Sequence, residues 1–483
     1  MSAPAWAEDP PRATLLDPGD TGLRDDLAWL ADRRVIDLTQ GQWPIAAAVV
    51  IDALRAQAPD APLTEADRDA LARVEQALRH ASAAASLAFG VNTARHVPVG
   101  AAWPQRARGT ATATARLAGE SCAGQLSINM RSEPLGHDDD GPGIDGSYGA
   151  CIGEFALAAA GQFDRWWGPT RYAAPILGNV AAPQASLLLR RAADSAPVSE
   201  WLQWIGPWSW ELSVAQPRDY QPARPKAIGM RLTVRPLPGL ELGAARYLYW
   251  GGEGRSESPG SLWRALTGSR SNIDDVAQDG PDPGNEIAGL DARWAVPLGD
   301  STLMLYGQIA GEDEAGYLPS KRFGTVGAQW RHLVGADRWQ WTLEATDTRM
   351  SALFGLDGAS LGPVYTHSTY VTGHYHQGLP IGAFTGGGAR IVVAGLDWTR
   401  TSDATQPRVE ALLWHGRIAS NGQVGINQAF PGDGEIYGAS LALHASMPRW
   451  RWRVALDAQH APATGRADWG VIGRVEFPWD ARP

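Results

Sequence analysis

Trp339-Gln-Trp341-Thr-Leu343-Glu-Ala345 alternates large apolar side chains with polar ones, and two tryptophans open the run. The same grammar recurs at Trp208-Ser-Trp210-Glu-Leu212 and at Trp450-Arg-Trp452-Arg-Val454-Ala-Leu456. A period of two is the strand period, so one face of each run is apolar and the other is wet. Tryptophan near the end of such a strand is the pattern a transmembrane β-barrel uses at the lipid–water boundary. The reading that follows is an all-β, antiparallel transmembrane barrel.

Composition agrees with that reading and excludes others. The 483 residues carry 42 basic and 52 acidic side chains, a net charge of −10, and no basic patch stands out, which argues against a nucleic-acid partner. Mean hydropathy is slightly negative. The longest apolar run, Ile45 to Leu54, is interrupted by Asp52 and falls far short of the ~20 residues a spanning helix needs. Barrel strands escape this test because half of their side chains face water. The 22 tryptophans are abundant against 6 methionines, and 55 glycines with 34 prolines suit many turns. Cys122 and Cys151 flank the segment around Gly136, where a hairpin could place them opposite each other; a cross-strand disulfide and two free thiols both remain open. Met1-Ser-Ala-Pro-Ala-Trp-Ala lacks the charged and apolar regions of a signal peptide, and Ala-Trp-Ala resembles the end of a cleaved one.

Residues 1–82 read as a small helical domain. Leu23, Leu27 and Leu30 share one helical face, Pro44 is expected to open a second helix over Ile45 to Gln57, and Thr64 caps a third with Leu71, Val74 and Leu78 in a stripe. Residues 83–483 read as the barrel, with the helical domain as its periplasmic plug. Seventeen alternating runs are legible, 148–163 being taken as a single strand. Short turns such as Arg235–Gly239, Val296–Asp300 and Ser446–Pro448 alternate with long connections at 251–284, 312–320, 350–387 and 418–434. Short turns belong to the periplasmic side, and an even strand count returns both ends there. Eighteen strands are favoured, with the missing one expected within 164–182; sixteen is the alternative. The lumen face should carry Glu211, Glu344, Arg451, Arg453 and Asp457. Such charges either cross-link the interior or line a passage for a polar solute.

Several blocks, in this order, resemble the capsule assembly protein Wzi family: Arg165-Trp-Trp-Gly-Pro169, Trp204-Ile-Gly-Pro-Trp208-Ser-Trp210, Arg235-Pro-Leu-Pro-Gly239, Pro283-Gly-Asn285, Gly311-Glu-Asp-Glu314 and Glu344-Ala-Thr-Asp-Thr348. The resemblance runs over nearly the whole chain and includes Leu23 to Asp32. It implies an 18-stranded outer-membrane barrel closed by an N-terminal helical domain and an extracellular constriction. It further implies a surface lectin, not an enzyme, that holds capsular or another exopolysaccharide on the cell, working as a monomer among outer-membrane lipids without cofactor or metal. Thr170-Arg-Tyr-Ala-Ala174 and the stretch 370–388 depart from the family pattern, and the chain ends beyond Phe477 and Trp479.

Glycan binding calls for aromatic faces against sugar C–H surfaces and charged groups for hydroxyls and uronates. Arg165, Trp166, Trp167, Arg171 and Tyr172 form the densest such cluster, and Trp201 with Trp204 a second. Trp339/341 and Trp450/452 follow short turns and mark a rim instead. Three other motifs carry little chemistry. Gly358-Ala-Ser360-Leu-Gly362 has the nucleophile-elbow spacing without its strand and helix. Asp138-Asp-Asp140 with Asp145 lacks the spacing of a calcium loop. His374 and His376 lack a third metal ligand in sequence, even with His367 nearby. The rival functional classes are a channel for polysaccharide or other polar solutes, and an outer-membrane enzyme built on Ser360.

Overall fold

The computed structural model describes residues 11–479, apart from 58–62, 95, 101, 268–283, 316–317, 351–352, 357–359, 361, 402–406, 420–425, 431 and 462–465. The first barrel strands are β1 (Ala85–Asn92), β2 (Ala107–Ala118), β3 (Cys122–Pro134), an interrupted β4 (Gly141–Gly143 and Tyr148–Ile152), β5 (Ala156–Gln162) and β6 (Ala185–Arg191). Next come β7 (Trp208–Gln216), β8 (Lys226–Leu237), β9 (Leu240–Trp250), β10 (Gly284–Leu298), β11 (Ser301–Ala315) and β12 (Leu318–Val334). The last six are β13 (Asp337–Asp347), β14 (Ala389–Thr399), β15 (Arg408–Ile418), β16 (Gly434–Met447), β17 (Trp450–Ala461) and β18 (Arg466–Trp479). Each pairs antiparallel with its neighbour in sequence, and β18 closes the ring on β1.

These eighteen strands among the described residues include one that sequence reading misplaced. It does not lie in 164–182. The run 148–163 divides into the end of β4 and all of β5 at a tight turn, where Gly153 N–H donates to Ala156 C=O at 2.9 Å. Gly153-Glu154-Phe155 interrupts an otherwise apolar stretch with no proline or Asn-Gly, so the break leaves a weak turn signal. Likewise 312–320 is not a loop: β11 and β12 run through it to Ala315 and Leu318. Cys122 stands directly opposite Cys151, and the two are disulfide-bonded.

The helices are α1 (Thr21–Asp32), α2 (Ala47–Arg55) and α3 (Glu65–Ser82), with α4 (Pro259–Thr267) in a later connection. Asp20 caps α1 by accepting from Leu23 N–H at 3.0 Å. Thr64 and Asp67 form a reciprocal capping box at the start of α3. Pro44 lies outside α2, because Ile45–Ala46 first pairs with Leu15–Leu16 as a short ribbon. Leu23, Leu27, Leu30, Val50, Ile51, Val74 and Leu78 make one apolar core, which continues onto Ala150, Leu157, Ala159 and Leu188 of the inner wall.

Chain ends and turns orient the barrel. α3 ends three residues before β1, and Ala85 pairs with Trp479. That end also holds the connections at 119–121, 153–155, 192–207, 238–239, 299–300, 335–336 and 448–449. It is the short-turn, periplasmic end. All three tryptophan pairs gather there: Trp208, Trp339 and Trp450 each open a strand at that rim. From the opposite end two long connections, 163–184 and 348–388, fold inward. Gly178 N–H donates to Ile381 C=O at 2.7 Å, and Tyr365 Oη donates to Pro175 C=O at 2.5 Å.

Candidate functional site

Helix α1 meets the barrel through acids facing arginines. Asp20 accepts from Arg451 at 2.6 Å, and Asp25 from Arg171 and Arg408, each at 2.6 Å. Asp26 takes a bidentate pair from Arg73 at 2.9 and 3.0 Å and a third bond from Arg338 at 2.6 Å. Asp32 accepts from Arg293 at 2.7 Å and from Arg331. The barrel arginines come from β10, β12, β13, β15 and β17. Burial pushes Asp25 and Asp26 up, but the guanidinium groups outweigh it and hold both carboxyls below the usual range.

The block Arg165–Ala173 is embedded between this helix and the wall. Trp166 and Trp167 are 1% and 0% exposed, and they pair as a short ribbon with Trp43 and Gln42. Arg165 is ion-paired with Glu211 and donates to Ser213 Oγ at 2.8 Å. Glu344 accepts from the backbone N–H groups of Arg171 at 2.7 Å, Tyr172 at 3.1 Å and Ala173 at 2.8 Å, and from Tyr306 Oη at 2.7 Å. Five of the expected glycan contacts, Arg165, Trp166, Trp167, Arg171 and Tyr172, are therefore buried between the helix and the wall. Trp201 and Trp204 are exposed, at 89% and 69%, but their connection lies at the periplasmic end. Of the expected lumen charges, Glu211 pairs with Arg165, Arg451 with Glu476, Arg453 with Glu410 and Asp457 with His96 at 2.5 Å, while Glu344 is held by backbone N–H groups and Tyr306 Oη.

Above this layer the inward connections pack an aromatic core inside the barrel, with Tyr247, Tyr249, Tyr365, Tyr370, Tyr375 and Phe384 all buried. His374 sits within it, bonding to Ile176 C=O at 2.7 Å and to Tyr249 Oη at 3.0 Å. Burial pushes its imidazole down to about 4. His376 bonds elsewhere, to Ala182 C=O at 2.9 Å. Asp138 and Asp145 both turn to Arg131. Ser360 is exposed and, among the described residues, bonds within its own turn to Gly362, while most of its motif lies outside the described residues.

One part of the lumen stays open. A cavity of about 210 Å³ follows the inner face of β2 and β3 and reaches the N-terminal segment at Asp17 and Asp20. Thr110, Thr112 and Thr114 line it opposite Gln125, Ser127 and Asn129. Arg106, Arg116, Arg131, Arg451 and Arg474 line it together with Asp17, Asp20, Asp145, Asp164 and Glu476, so the charges are mixed, and Trp103 adds an aromatic face with Arg451 and Arg474 stacked 5.0 and 5.9 Å from its ring. Burial pushes Asp164, at the cavity edge, up to about 7 despite the Arg106 guanidinium 2.6 Å away. The Nε atoms of Arg131 and Arg474 are buried without a hydrogen-bond partner among the described residues. Sequence reading missed this site, although the alternation Thr110-Ala-Thr112-Ala-Thr114-Ala-Arg116 is itself a strand with a hydroxyl-bearing face.

This geometry has counterparts. The family model described as capsule assembly protein Wzi matches residues 100–407. A Klebsiella pneumoniae protein, described as an uncharacterized 55.8 kDa protein in the cps region, is 34% identical over 333 residues, which are 68% of this chain. The match spans 64% of that relative, less than two thirds of its length. The solved structure of Wzi from Escherichia coli superposes with a TM-score of 0.83 at 30% identity, covering 97% of this chain and 100% of that one. It is described as an outer membrane protein involved in group 1 capsule assembly and a carbohydrate-binding β-barrel. By sequence and overall fold, the chain belongs to the capsule assembly protein Wzi family and is an outer-membrane β-barrel.

Proposed function

We propose that this protein is a surface lectin that binds exopolysaccharide and supports capsule attachment, with residues 1–82 acting as a periplasmic plug and 83–483 as the barrel. The description of the E. coli relative as a carbohydrate-binding barrel supports the class of ligand. The observation that carries the assignment to a site is the β2–β3 cavity. Its hydroxyls, amides and mixed charged groups suit sugar hydroxyls, and Trp103 offers a stacking face. At about 210 Å³ the cavity is below the ~300–1,000 Å³ of drug-sized sites and suits a sugar residue or chain end. Recognition makes and breaks no covalent bond.

The test is binding of purified capsular polysaccharide from the source bacterium to the detergent-solubilised protein. The variant Trp103→Ala with Arg474→Met is expected to lose binding while keeping the barrel fold. Unchanged affinity would remove the site from this cavity. Deletion of the gene is expected to release polymer into the medium, and full retention on the cell would sink the attachment reading. The second reading, passage of a polar solute, draws on the same cavity, which tracks β3 from Gln125 to Arg131, about 20 Å of strand. Large steady single-channel currents from the intact protein in planar bilayers would favour it.

A further inference from the structure

On the outer wall, β14 and β15 place Arg390 directly opposite Arg417. Both side chains are exposed, and among the described residues neither is held in an ion pair. Like charges directly opposite on one sheet face destabilise it. The acid nearest Arg390 in register, Asp347, is occupied by Arg349 at 2.8 and 2.5 Å and by Phe354 N–H at 2.9 Å. Glu435, opposite Arg417, is exposed and makes no ion pair among the described residues.

Their height is set by the strands. Below Arg390 the outward positions are Val392, Ala394 and Leu396, ending at Trp398 on the periplasmic rim. Eight residues span about 26 Å along the strand, or roughly 20 Å along the membrane normal at a barrel tilt near 40°. That approaches the ~25 Å apolar band, so the pair stands where the outer-leaflet headgroups begin. One step lower, His415, Tyr437 and His460 form an outward row across β15, β16 and β17, with ring centroids 6.4 and 4.8 Å apart. Such a row is a girdle at the lipid–water boundary. Beneath it the wall is concave. Ala394, Ala411, Ala439 and Ala458 on four adjacent strands leave an apolar hollow of about 820 Å³ framed by Trp341 and Trp469.

We infer that this face is a binding site for a phosphate-bearing glycolipid of the outer leaflet. Arg390 and Arg417 clamp the headgroup phosphate, and acyl chains fill the alanine-lined hollow. Two guanidinium groups on adjacent strands match the oxygens of one phosphate, and that anion turns their mutual repulsion into attraction. The hollow supplies what a free phosphate would not use.

The full-length protein is purified in a zwitterionic detergent and titrated with bisphosphorylated lipid A, with its dephosphorylated form, and with inorganic phosphate alone. Bisphosphorylated lipid A is expected to bind at least tenfold more tightly than either of the others. The double variant Arg390→Gln/Arg417→Gln is expected to lose that margin. With lipid A present the same variant is expected to melt lower than the parent protein. Equal binding of the phosphorylated and dephosphorylated lipids overturns the clamp. Inorganic phosphate binding as tightly as the lipid reduces the site to an anion site and overturns the lipid assignment. The comparison of lipids on the parent protein needs no variant, so a folding defect in the substituted chain leaves the test intact.

Discussion

Replacing Asp32 by alanine removes the carboxylate on which Arg293 and Arg331 converge, and the two arginines fare differently. Arg331 keeps two amide acceptors, Gln340 Oε1 at 2.5 Å and Gln329 Oε1 at 2.6 Å. Among the described residues Arg293 keeps the thioether of Met304, at 2.8 and 3.2 Å, a weak acceptor, with Glu241 as a more distant counter-charge. All three side chains are almost wholly buried, so bulk water is excluded, and a cavity of about 40 Å³ beside Arg293 and Arg331 is the space left for a replacing water. Breaking a buried pair by removing one side costs about 3–5 kcal/mol, because a charge is left desolvated. That corresponds to roughly 10²–10³·⁵ in the equilibrium between docked and released α1. Asp32→Asn keeps an acceptor oxygen and should cost less. Amide hydrogen exchange in micelles reads the opening free energy of α1 directly. The Ala variant should speed α1 exchange by about that factor while strand amides stay protected. If α1 exchanges as slowly as in the parent protein, the acid–arginine contacts do not hold the helix in the lumen.

Three further outcomes follow from particular contacts. His374 is pushed down to about 4, so the unfolded imidazole, near 6.5, takes its proton first. Stability of the 363–386 segment should therefore fall as pH drops below 6.5, by about 3 kcal/mol at pH 4; exchange rates at pH 7 and 4.5 measure it, and His374→Gln should flatten the response. Gly373 has φ +65°, and a Cβ there would lie 1.9 Å from Tyr365 C=O; Gly373→Ala should loosen the same segment by roughly 2 kcal/mol or more, and unchanged exchange would refute the packing described. The Cys122–Cys151 bond closes a 29-residue separation, worth about 3–4 kcal/mol in the chain-entropy model; maleimide should label the thiols only after reduction, and the double serine variant should melt lower.

The wall of the barrel was legible because its signal is local. Each strand announces its lipid face by alternation, and Trp339, Trp450 and Trp208 mark one rim. The interior was less legible because its partners are distant in sequence. Asp26 and Arg338 are separated by 312 positions, and nothing near either residue predicts the other. The burial of the block Arg165–Tyr172, expected to contact glycan, is illegible for the same reason. Two tryptophans between arginines suit a sugar platform and equally suit a buried strap, and only Glu211 and Glu344 on remote strands decide between them. The β2–β3 face was overlooked because threonine alternating with alanine lacks the aromatic residues that a search for glycan contacts favours.

The location of the cavity follows from how the inner wall is divided. On β3–β6 the inward residues Ala123, Ala150, Leu157, Ala159 and Leu188 continue the apolar core of the N-terminal helices. On β10–β17 the inward arginines meet the acids of α1. A helix with acids at 25, 26 and 32 and leucines at 23, 27 and 30 satisfies both sectors in one orientation only. Turning it would bury carboxylates against alanine and leucine and leave guanidinium groups without counter-charges, at several kcal/mol each. The outer half of β2 and β3 belongs to neither sector. Thr110, Thr112 and Asn129 are too polar to pack on the helices' core and carry no charge to attract α1, so that stretch of wall is left uncovered. The N-terminal helices thus pack against two sectors of the inner wall, and the hydroxyl-lined third sector is the one to which the proposed lectin function assigns its ligand.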